Sequence, residues 1–423
     1  MPACAAEGMA QDLKEKAGES GRKTRVAVLF GGRSVEHEIS VISALQLMLA
    51  IDQDEFHITP VYITPAGKWY TGQELLQRKA YSNLAELESV CTEVTLLPKP
   101  GVSGLTVLKH KRDSLGVRTD KLSGNVIPID VFLLAFHGEF GEDGCIQGLC
   151  ELADIVYTGS SVPASALAMN KYLCKLCAEA AGVPVLPALQ IDRVAAQRNI
   201  EGECARIIAA EGFSKFPLFV KPCNLGSSIG ISRVDSAAAL PAALARAFRY
   251  DSTALVERCV SKLLEINVSV REHPTEGAVA SVVEVPVSSS GVLSYEDKYL
   301  RDGGKKGGSG GGMASLTRII DPSDLSAEIK ERARNYAVRI FKALDCSGVA
   351  RLDFIMDLES NEIFFNELNP FPGSVSFYLW VKSEPRILFT ELLRDMLRTA
   401  FLRKDRKDSL DHYVGLRALR DKK

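Results

Sequence analysis

Two β-rich stretches in the carboxyl-terminal third of the chain decide how it folds: GVARLDFIMD at residues 348–357 and EIFFNELN at residues 362–369. Side chains alternate between the two faces of a strand, so Arg351 and Asp353 share a face of the first stretch. By the same alternation, Glu367 and Asn369 share a face of the second stretch. Charged groups beside such apolar runs cost free energy unless a metal ion or a partner compensates them. The pattern predicts two antiparallel strands with a polar face; the alternative is a half-exposed hairpin with ordinary surface charges.

This polar face has the chemistry of a phosphate and metal site. Asp353, Glu367 and Asn369 offer carboxylate and amide oxygens, which are hard ligands that Mg²⁺ accepts. Arg351 is a cation at every physiological pH, and a fixed cation suits a developing oxyanion. We therefore expect magnesium between these strands and the phosphate groups of a ligand.

A third motif, KPCNLGSSIGI at residues 221–231, lies between two β-rich runs. Its glycines allow close approach of the backbone, its serines offer hydroxyl and N–H groups, and Lys221 offers a positive charge. Such a loop can cradle phosphate oxygens, although it lacks the GxxxxGK[ST] pattern of a P-loop. By itself the motif does not decide between a phosphate site and an ordinary loop.

Toward the amino terminus, RVAVLFGG at residues 25–32 reads as a buried strand that enters a tight turn. A helical pattern follows, with Ser34 as a plausible N-cap. Further buried strands alternate with helices, which predicts an α/β amino-terminal domain. Helices are predicted near 161–182, ending at Gly182, and at 324–345 and 385–402. The remainder reads as a small central and a larger carboxyl-terminal α+β domain.

Composition excludes several classes of protein. The 423 residues suggest two to four domains, and the net charge of -2 argues against a nucleic-acid-binding protein. The sequence has no apolar run that approaches a membrane span and no signal-peptide core near its start, so we expect a cytoplasmic protein with no membrane contact and a disordered leader. The ten cysteines include one CxxC pair, Cys174 and Cys177, and are predicted to be reduced, packed thiols.

The segment RDGGKKGGSGGGM at residues 301–313 contains seven glycines and almost no apolar side chains. It is either a flexible linker or a lid over a site, with lysines that can meet an anion. Because it lies between two predicted strands of one domain, a linker has nothing to join. We favour the lid.

Six motifs occur along the chain in an order that is typical of one protein family. They are VLFGGRSVEHEIS, FHGEFGEDGCIQGLCELADIVYTGSSVPASALAMNK, FVKPCNLGSSIGI, DKYL, RLDF and NELNPFPG. From about residue 25 to about residue 400, the chain resembles the D-alanine–D-alanine ligase family of the ATP-grasp superfamily. The resemblance implies an α/β and α+β fold of three domains, with the nucleotide held between two antiparallel sheets.

The implied division of the chain is a leader at 1–24, an amino-terminal substrate domain at 25–165, a central subdomain at 166–256, a carboxyl-terminal subdomain at 257–402 with a lid at 294–315, and a basic tail at 403–423. The implied reaction forms D-alanyl-D-alanine for peptidoglycan precursors. ATP phosphorylates the carboxylate of one D-alanine, and the amine of a second D-alanine attacks the acyl phosphate. Because an acyl phosphate is hydrolysed by water, the site needs a lid.

The resemblance also assigns residues by motif. Glu36 would bind the ammonium group of the first D-alanine and form a hydrogen-bonded trio with Ser227 and Tyr299 that holds the lid closed. Arg351 and the N–H of Gly373 would stabilise the tetrahedral intermediate. The nucleotide would be bound by Lys171, Lys221, Ser228, Glu257, Val260, Glu265 and Lys298, with the two glutamates at adenine and ribose. Two Mg²⁺ or Mn²⁺ ions per site would be bound by Asp353, Glu367 and Asn369.

Two positions leave alternatives open. His137 either lies near the substrate or is a hydrogen-bonded core histidine. In the family, a serine beyond the NxxPG motif binds the carboxylate of the second substrate. Simple spacing here places Tyr378 at that position, two residues after Ser376. The second amino acid is therefore D-alanine or another amino acid such as D-serine. A catalytically silent nucleotide-binding homologue is the alternative of a different class, and relatives suggest a homodimer.

Overall fold

The computed structural model describes residues 22–112, 118–287 and 318–411. Three β-sheets follow one another along the chain. Apart from residues 22–24, the predicted leader lies outside the described residues. The predicted lid at 294–315 and the tail beyond residue 411 also lie outside them.

The first sheet belongs to the amino-terminal part of the chain. Its strands are β1 Thr24–Gly31, β2 Phe56–Ile63, β3 Trp69–Thr71, β4 Thr92–Thr95, β5 Gly104–Arg112, β6 Arg118–Pro128, β7 Val131–Leu134 and β8 Val156–Tyr157. They lie in the order β6-β5-β4-β3-β2-β1-β7-β8. β1 is parallel to both β2 and β7, as the predicted strand and helix alternation requires.

From β2 to β6 the same sheet continues as antiparallel strands, which we did not predict. β5 and β6 contain GLTVLKHKR and RTDKLSGNVIP, whose many charged residues give no apolar run. β6 is the edge strand, and most of its described side chains are exposed. A strand that faces solvent needs no apolar pattern, so such a strand cannot be predicted from the spacing of apolar residues.

The second and third sheets are entirely antiparallel. The second contains β9 Ala188–Asp192, β10 Leu218–Pro222, β11 Ser232–Val234 and β12 Thr253–Arg258, in the order β11-β10-β12-β9. The third contains β13 Leu263–His273, β14 Gly277–Pro286, β15 Arg318–Ile320, β16 Val349–Asp357 and β17 Ile363–Asn369, in the order β15-β14-β13-β16-β17. The predicted pair of antiparallel strands is β16 and β17.

The helices pack on the faces of these sheets. They are α1 His37–Ala50, α2 Leu84–Val90, α3 Cys145–Ala153, α4 Val162–Met169, α5 Lys171–Ala180, α6 Arg193–Arg198, α7 Ile200–Ala209, α8 Leu240–Ala247, α9 Ala327–Ala343, α10 Phe377–Trp380 and α11 Phe389–Asp408. Short 3₁₀ turns occupy Gln73–Leu76, Arg78–Ser82, Ala237–Ala239 and Gly373–Ser376. Among these described helices, none is long and apolar enough to cross a membrane.

Three helix predictions need correction. Ser34 is not the N-cap of α1: its hydroxyl accepts from the N–H of Glu36, and Glu36 itself precedes the helix. The helix predicted near 161–182 is two helices, because Asn170 leaves helical geometry and caps α5 by accepting from the N–H of Leu173. The helix predicted at 385–402 begins at Phe389 and continues to Asp408, since its last turns contain no glycine or proline that would end it.

Helix α11, the last described helix, packs in the same apolar core as β1 and α1 near the start of the chain. One apolar core contains Val28 and Phe30 of β1 and Leu47 of α1, together with Leu393 and Met396 of α11. Each fully buried leucine or phenylalanine contributes roughly 1.5–3 kcal/mol to folding. The last described helix therefore completes the core of the first sheet.

Candidate functional site

A cleft lies between the second and third sheets. The empty space in it, including the part that is open to solvent, is about 950 Å³. Residues from both sheets and from the connecting loops line it: Lys171, Leu186, Phe219, Lys221, Pro222, Leu225, Ser228, Ile229, Ile231, Glu257, Arg258, Cys259, Val260, Leu263, Glu265, Asn267, Asp353, Phe354, Ile355, Asn366 and Glu367. Eight of the residues predicted from the motifs therefore line this cleft: Lys171, Lys221, Ser228, Glu257, Val260, Glu265, Asp353 and Glu367.

The third sheet brings its polar residues into rows. In the register of β16 and β17, Asp353 lies opposite Glu367, and Arg351 lies opposite Asn369. Residues opposite one another in an antiparallel pair project from the same face. The four side chains predicted to share a polar face are therefore brought together by the register.

Arg351 and Asp353 form a bidentate ion pair. The guanidinium Nε donates to Asp353 Oδ1 at 2.7 Å, and its second nitrogen donates to Oδ2 at 2.7 Å. Asn369 Nδ2 also donates to Asp353 Oδ2, at 3.2 Å. The Asp353 carboxylate raises the pKa of Arg351 against the opposing effect of burial. The arginine is thus held in one orientation as a permanent cation.

Lys171 joins the glycine-serine loop to the carboxylates. It is the first residue of α5, and its N–H donates to the carbonyl of Cys223 at 2.9 Å. Its ammonium group donates to the carbonyl of Leu225 at 2.7 Å and pairs with Glu367 at 3.0 Å. Burial would lower the pKa of Lys171, but Glu367 outweighs burial and the pKa is raised. A buried, charged lysine therefore lies beside a candidate metal ligand.

Lys221 on β10 pairs with Glu257 on the neighbouring strand β12. The Lys221 ammonium lies 2.6 Å from Glu257 Oε2 and donates to Asn366 Oδ1 at 3.1 Å. Glu257 is only 3% exposed. A second lysine, Lys175, pairs with its other oxygen, and sequence reasoning missed this residue.

Glu36 meets the glycine-serine loop from the first sheet. The Ser227 hydroxyl donates to Glu36 Oε1, and both residues are buried. Ser227 and Ser228 adopt positive φ values of 55° and 58°, which non-glycine residues rarely do. The predicted contact between Glu36 and Ser227 is therefore present. Tyr299, the third member of the predicted trio, and Lys298 lie outside the described residues.

His137 is buried and follows β7. Its Nε2 lies 2.8 Å from the Ser43 hydroxyl, and its ring centroid is 5.6 Å from that of Phe371. Burial, with help from the nearby Arg351 charge, lowers its pKa to about 4. The imidazole is therefore neutral at physiological pH, and its contacts fit the core-histidine alternative while placing it near Arg351.

Glu142, in the same GEFGEDG segment, is a second residue that sequence reasoning missed. Its Oε2 accepts from the N–H of Gly138 at 2.6 Å, and its Oε1 accepts from the N–H of Phe371 at 3.1 Å. One carboxyl group thus ties the amino-terminal segment to the turn after β17. Burial, reinforced by Glu36, raises its pKa to about 8. The sequence signal for Glu142 was weak, because it is one of several acidic residues in the GEFGEDG motif.

The turn after β17 is strained. Ser374, Val375 and Ser376 have φ values of 50°, 46° and 51°, and Val375 is β-branched. Such conformations cost of order 1–3 kcal/mol per residue and persist only where the surroundings impose them. Gly373 begins this turn. The Ser376 hydroxyl is fully buried and has no hydrogen-bond partner within the described ranges.

Tyr378 belongs to a neighbouring polar cluster. Its hydroxyl donates to Glu284 Oε1 at 3.1 Å, and the Arg318 guanidinium lies 4.0 Å from its ring centroid. Arg318 also pairs with Glu284 at 3.0 Å. Burial and the Glu284 charge raise the pKa of Tyr378, so its hydroxyl keeps its proton.

The three predicted metal ligands are two carboxylates, Asp353 and Glu367, and one amide, Asn369. In the part of the chain that the structure describes, no group of three or more His, Cys, Asp or Glu side chains is arranged to hold a metal ion. Asp353 and Glu367 nevertheless face the same cleft from paired strands. These hard oxygens fit Mg²⁺ or Mn²⁺ if the ligand supplies the remaining oxygens, as nucleotide phosphates do.

Comparison with known proteins shows the family of this chain. The model of the D-ala D-ala ligase N-terminus matches residues 25–160, and that of the D-ala D-ala ligase C-terminus matches residues 177–398. The D-alanine–D-alanine ligase A of Bradyrhizobium diazoefficiens is 37% identical over 393 residues, which cover 92% of this chain and 98% of the relative. The D-alanine–D-alanine ligase of Chlorobium limicola is 36% identical, covering 89% and 97% respectively.

Solved structures agree with the predicted ATP-grasp fold. The VanG D-Ala:D-Ser ligase from Enterococcus faecalis has a TM-score of 0.71 at 28% identity, covering 90% of this chain and all of the relative. The D-alanine–D-alanine ligase from Coxiella burnetii has a TM-score of 0.71 at 25% identity, covering 91% and 96%. The fold class is therefore confirmed, and the chain belongs to the D-alanine–D-alanine ligase family.

Proposed function

We propose that this protein is an ATP-dependent ligase that joins two D-alanines to D-alanyl-D-alanine, for use in peptidoglycan precursors. The observation that carries the proposal is the cleft, where buried lysines on one side face Asp353 and Glu367 on the other. A reaction between a carboxylate and a triphosphate brings two anions together, so it needs positive charge at the point of contact. Lys171, Lys221 and Arg351 supply that charge.

The nucleotide would lie in the 950 Å³ cleft. Lys171, Lys221 and Ser228 would bind its phosphates, assisted by Lys298. Glu257, Val260 and Glu265 would bind the adenine and the ribose. Asp353, Glu367 and Asn369 would hold two Mg²⁺ or Mn²⁺ ions, whose charge offsets that of the phosphate oxygens.

The first D-alanine would be anchored by Glu36. A carboxylate oxygen of this D-alanine attacks the γ-phosphorus of ATP. The bond between the γ-phosphorus and the bridging oxygen of the β-phosphate breaks, and the products are the acyl phosphate and ADP. Ser227 holds Glu36 in place, which supports this role. The lid with Tyr299 would exclude water from the acyl phosphate.

The amine of the second amino acid then attacks the acyl carbon, a C–N bond forms, and phosphate leaves. Arg351 and the N–H of Gly373 would stabilise the oxyanion. Ser376 is well suited to the carboxylate of the second substrate, because its buried hydroxyl has no partner within residues 22–112, 118–287 and 318–411. Tyr378 would shape the same pocket, and His137 would border the first.

Three further parts of the proposal concern the whole molecule. The domains are 25–165, 166–256 and 257–402, as the three sheets suggest. The protein works in the cytoplasm on small molecules, with neither nucleic acid nor membrane as a partner. It forms a homodimer, as family resemblance suggests.

The proposal is tested with purified protein, Mg-ATP and D-alanine, by measuring phosphate release and dipeptide together. We expect both products in equal amounts, and both should be lost on chelation of the metal. D-Serine is added as a competing second substrate. A preference for D-serine would mean that the second substrate is D-serine and not D-alanine. Absence of ATP turnover with every amino acid would favour a catalytically silent homologue.

A further inference from the structure

Glu257 is paired with two lysines, one at each of its carboxylate oxygens. Lys221 Nζ lies 2.6 Å from Oε2, and Lys175 Nζ lies 2.5 Å from Oε1. The side chains of Lys175 and Glu257 are each only 3% exposed. This is a buried group of one carboxylate and two lysine amines, which carries one positive charge in excess when both amines are protonated.

The two lysines differ in what else they touch. Lys221 and its second partner, Asn366, both line the cleft. Lys175 does not line it: its ammonium donates instead to the backbone carbonyl of Phe365 at 3.1 Å. Lys175 therefore holds Glu257 from behind the wall of the cleft, while Lys221 holds it from within.

A buried carboxylate that loses its only cation is strongly destabilised, because its desolvation is no longer compensated. If Lys221 were the only partner of Glu257, movement of the Lys221 ammonium group toward a phosphate would leave Glu257 as a buried carboxylate without a cation. With Lys175 in place, Glu257 keeps one cation when Lys221 changes partner. The excess positive charge of the group is then available to an anion in the cleft.

We propose that Lys175 is a positioning residue for nucleotide binding: it neutralises Glu257 from behind the wall and so leaves the charge of Lys221 for the phosphates of the ligand. The inference rests on the proposed function in taking the ligand to be ATP. It assigns Lys175 a role without contact to the substrate.

The electrostatics of the group agree with this role. Burial would raise the pKa of Glu257, but Lys175 and Lys221 together hold it below its ordinary value. Burial lowers the pKa of Lys175, Lys221 lowers it further, and Glu257 opposes both. Movement of Lys221 toward a phosphate removes one of the two effects that weaken the charge of Lys175.

The test is a double-mutant cycle of Lys175→Met and Glu257→Gln. Lys175→Met leaves Glu257 with Lys221 alone, so we expect the KM for ATP and the Kd for Mg-ADP to rise at least about tenfold. The KM for D-alanine should change less than about twofold. Adding Glu257→Gln to Lys175→Met removes the charge that retains Lys221, so the double variant should return to the values of Glu257→Gln alone.

Arg271→Met is the matched control. Arg271 is also a buried cation of the third sheet, pairs with Asp395 at 2.5 Å and lies 5.3 Å from the Trp380 ring centroid, but it does not line the cleft. Its loss should lower Tm and leave the KM for ATP unchanged. A variant that merely loosens the fold would behave like this control.

Two results would overturn the inference: an unchanged KM for ATP in Lys175→Met, or a double variant that binds Mg-ADP no better than Lys175→Met. If Lys175→Met does not fold, Glu257→Gln and the double variant are compared alone. They should bind Mg-ADP equally, and a difference of more than about threefold would refute the role. Because Mg-ADP binding needs no turnover, failure of the inference is distinguishable from failure of the proposed dipeptide synthesis.

Discussion

The two walls of the cleft differ in the charged groups that they offer to a ligand. The wall formed by the second sheet and the start of α5 carries Lys221 and Lys171, whereas the third sheet carries Asp353 and Glu367. Some ion pairs cross the cleft, such as Lys171 with Glu367 at 3.0 Å. Others stay within one wall, such as Arg351 with Asp353 at 2.7 Å.

This difference separates two tasks. A pair across the cleft must exchange partners when an anion and its cations enter, so it behaves as a placeholder for the ligand. A pair within one wall is not pulled apart when the two walls move, so a pair such as Arg351 with Asp353 can keep a side chain oriented in advance. Substitutions should therefore act differently at the two kinds of pair.

Asp353→Asn should cause the largest loss. It removes a candidate metal ligand and frees Arg351 from its bidentate partner in the same wall. We expect kcat for dipeptide formation to fall by about 10²–10³-fold. Phosphate release and dipeptide are measured together. A loss confined to the KM for ATP would mean that Asp353 only binds the nucleotide, and the distinction between within-wall and cross-cleft pairs would fail here.

Ser227→Ala should have the next largest effect. The hydroxyl is the described link between Glu36 of the amino-terminal segment and the loop of the second-sheet wall. Loss of a hydrogen bond to a charged group costs about 1.5–3 kcal/mol, so the KM for the first D-alanine should rise by about tenfold or more. The KM for ATP is the internal control and should change little. Equal rises in both constants would place Ser227 at the phosphates instead.

Glu142→Gln should change the dependence of stability on pH. The pKa of this buried carboxyl is about 8 in the folded protein and near 4.5 when exposed. A raised pKa contributes stability that is complete below the unfolded value and is lost as pH rises through the folded value. The free energy of unfolding of the wild type, relative to Glu142→Gln, should therefore fall between about pH 4.5 and about pH 8 and level off above that range. Chemical denaturation at several pH values measures it, and parallel curves would contradict the raised pKa.

Tyr378→Phe should have the smallest effect. Its hydroxyl donates to Glu284 on β14 of the third sheet, and one such hydrogen bond contributes about 1 kcal/mol. The KM for the second amino acid should rise about threefold to fivefold with kcat nearly unchanged. An unchanged constant would remove Tyr378 from the second pocket and leave that position to Ser376.

The third-sheet wall could be predicted from sequence because its order is local. Alternation on each strand put Arg351 with Asp353 and Glu367 with Asn369, and one hairpin register then joined the two pairs. The glycine-serine loop could be predicted for the same reason. Its lysine, glycines and serines are neighbours along the chain.

The missed residues depend on distant contacts. Lys175 stands one helical turn after Lys171, where a lysine is ordinarily solvated, and its burial is decided by Phe365, 190 residues away. Glu142 is one acid in an acidic segment, and its importance comes from Phe371, 229 residues away. The partnership of Tyr378 with Glu284 and Arg318 likewise joins three separate elements. No local pattern reports such contacts.

Helix α11 has a consequence for how the protein is made. The apolar face of the first sheet, including Val28 and Phe30, is covered in part by Leu393 and Met396. A ribosome synthesises β1 well before the helix that helps to cover it, since more than 350 residues separate Phe30 from Leu393. Until α11 emerges, this apolar surface of the nascent chain is partly uncovered, and chaperones that bind such surfaces have an interval in which to act on it.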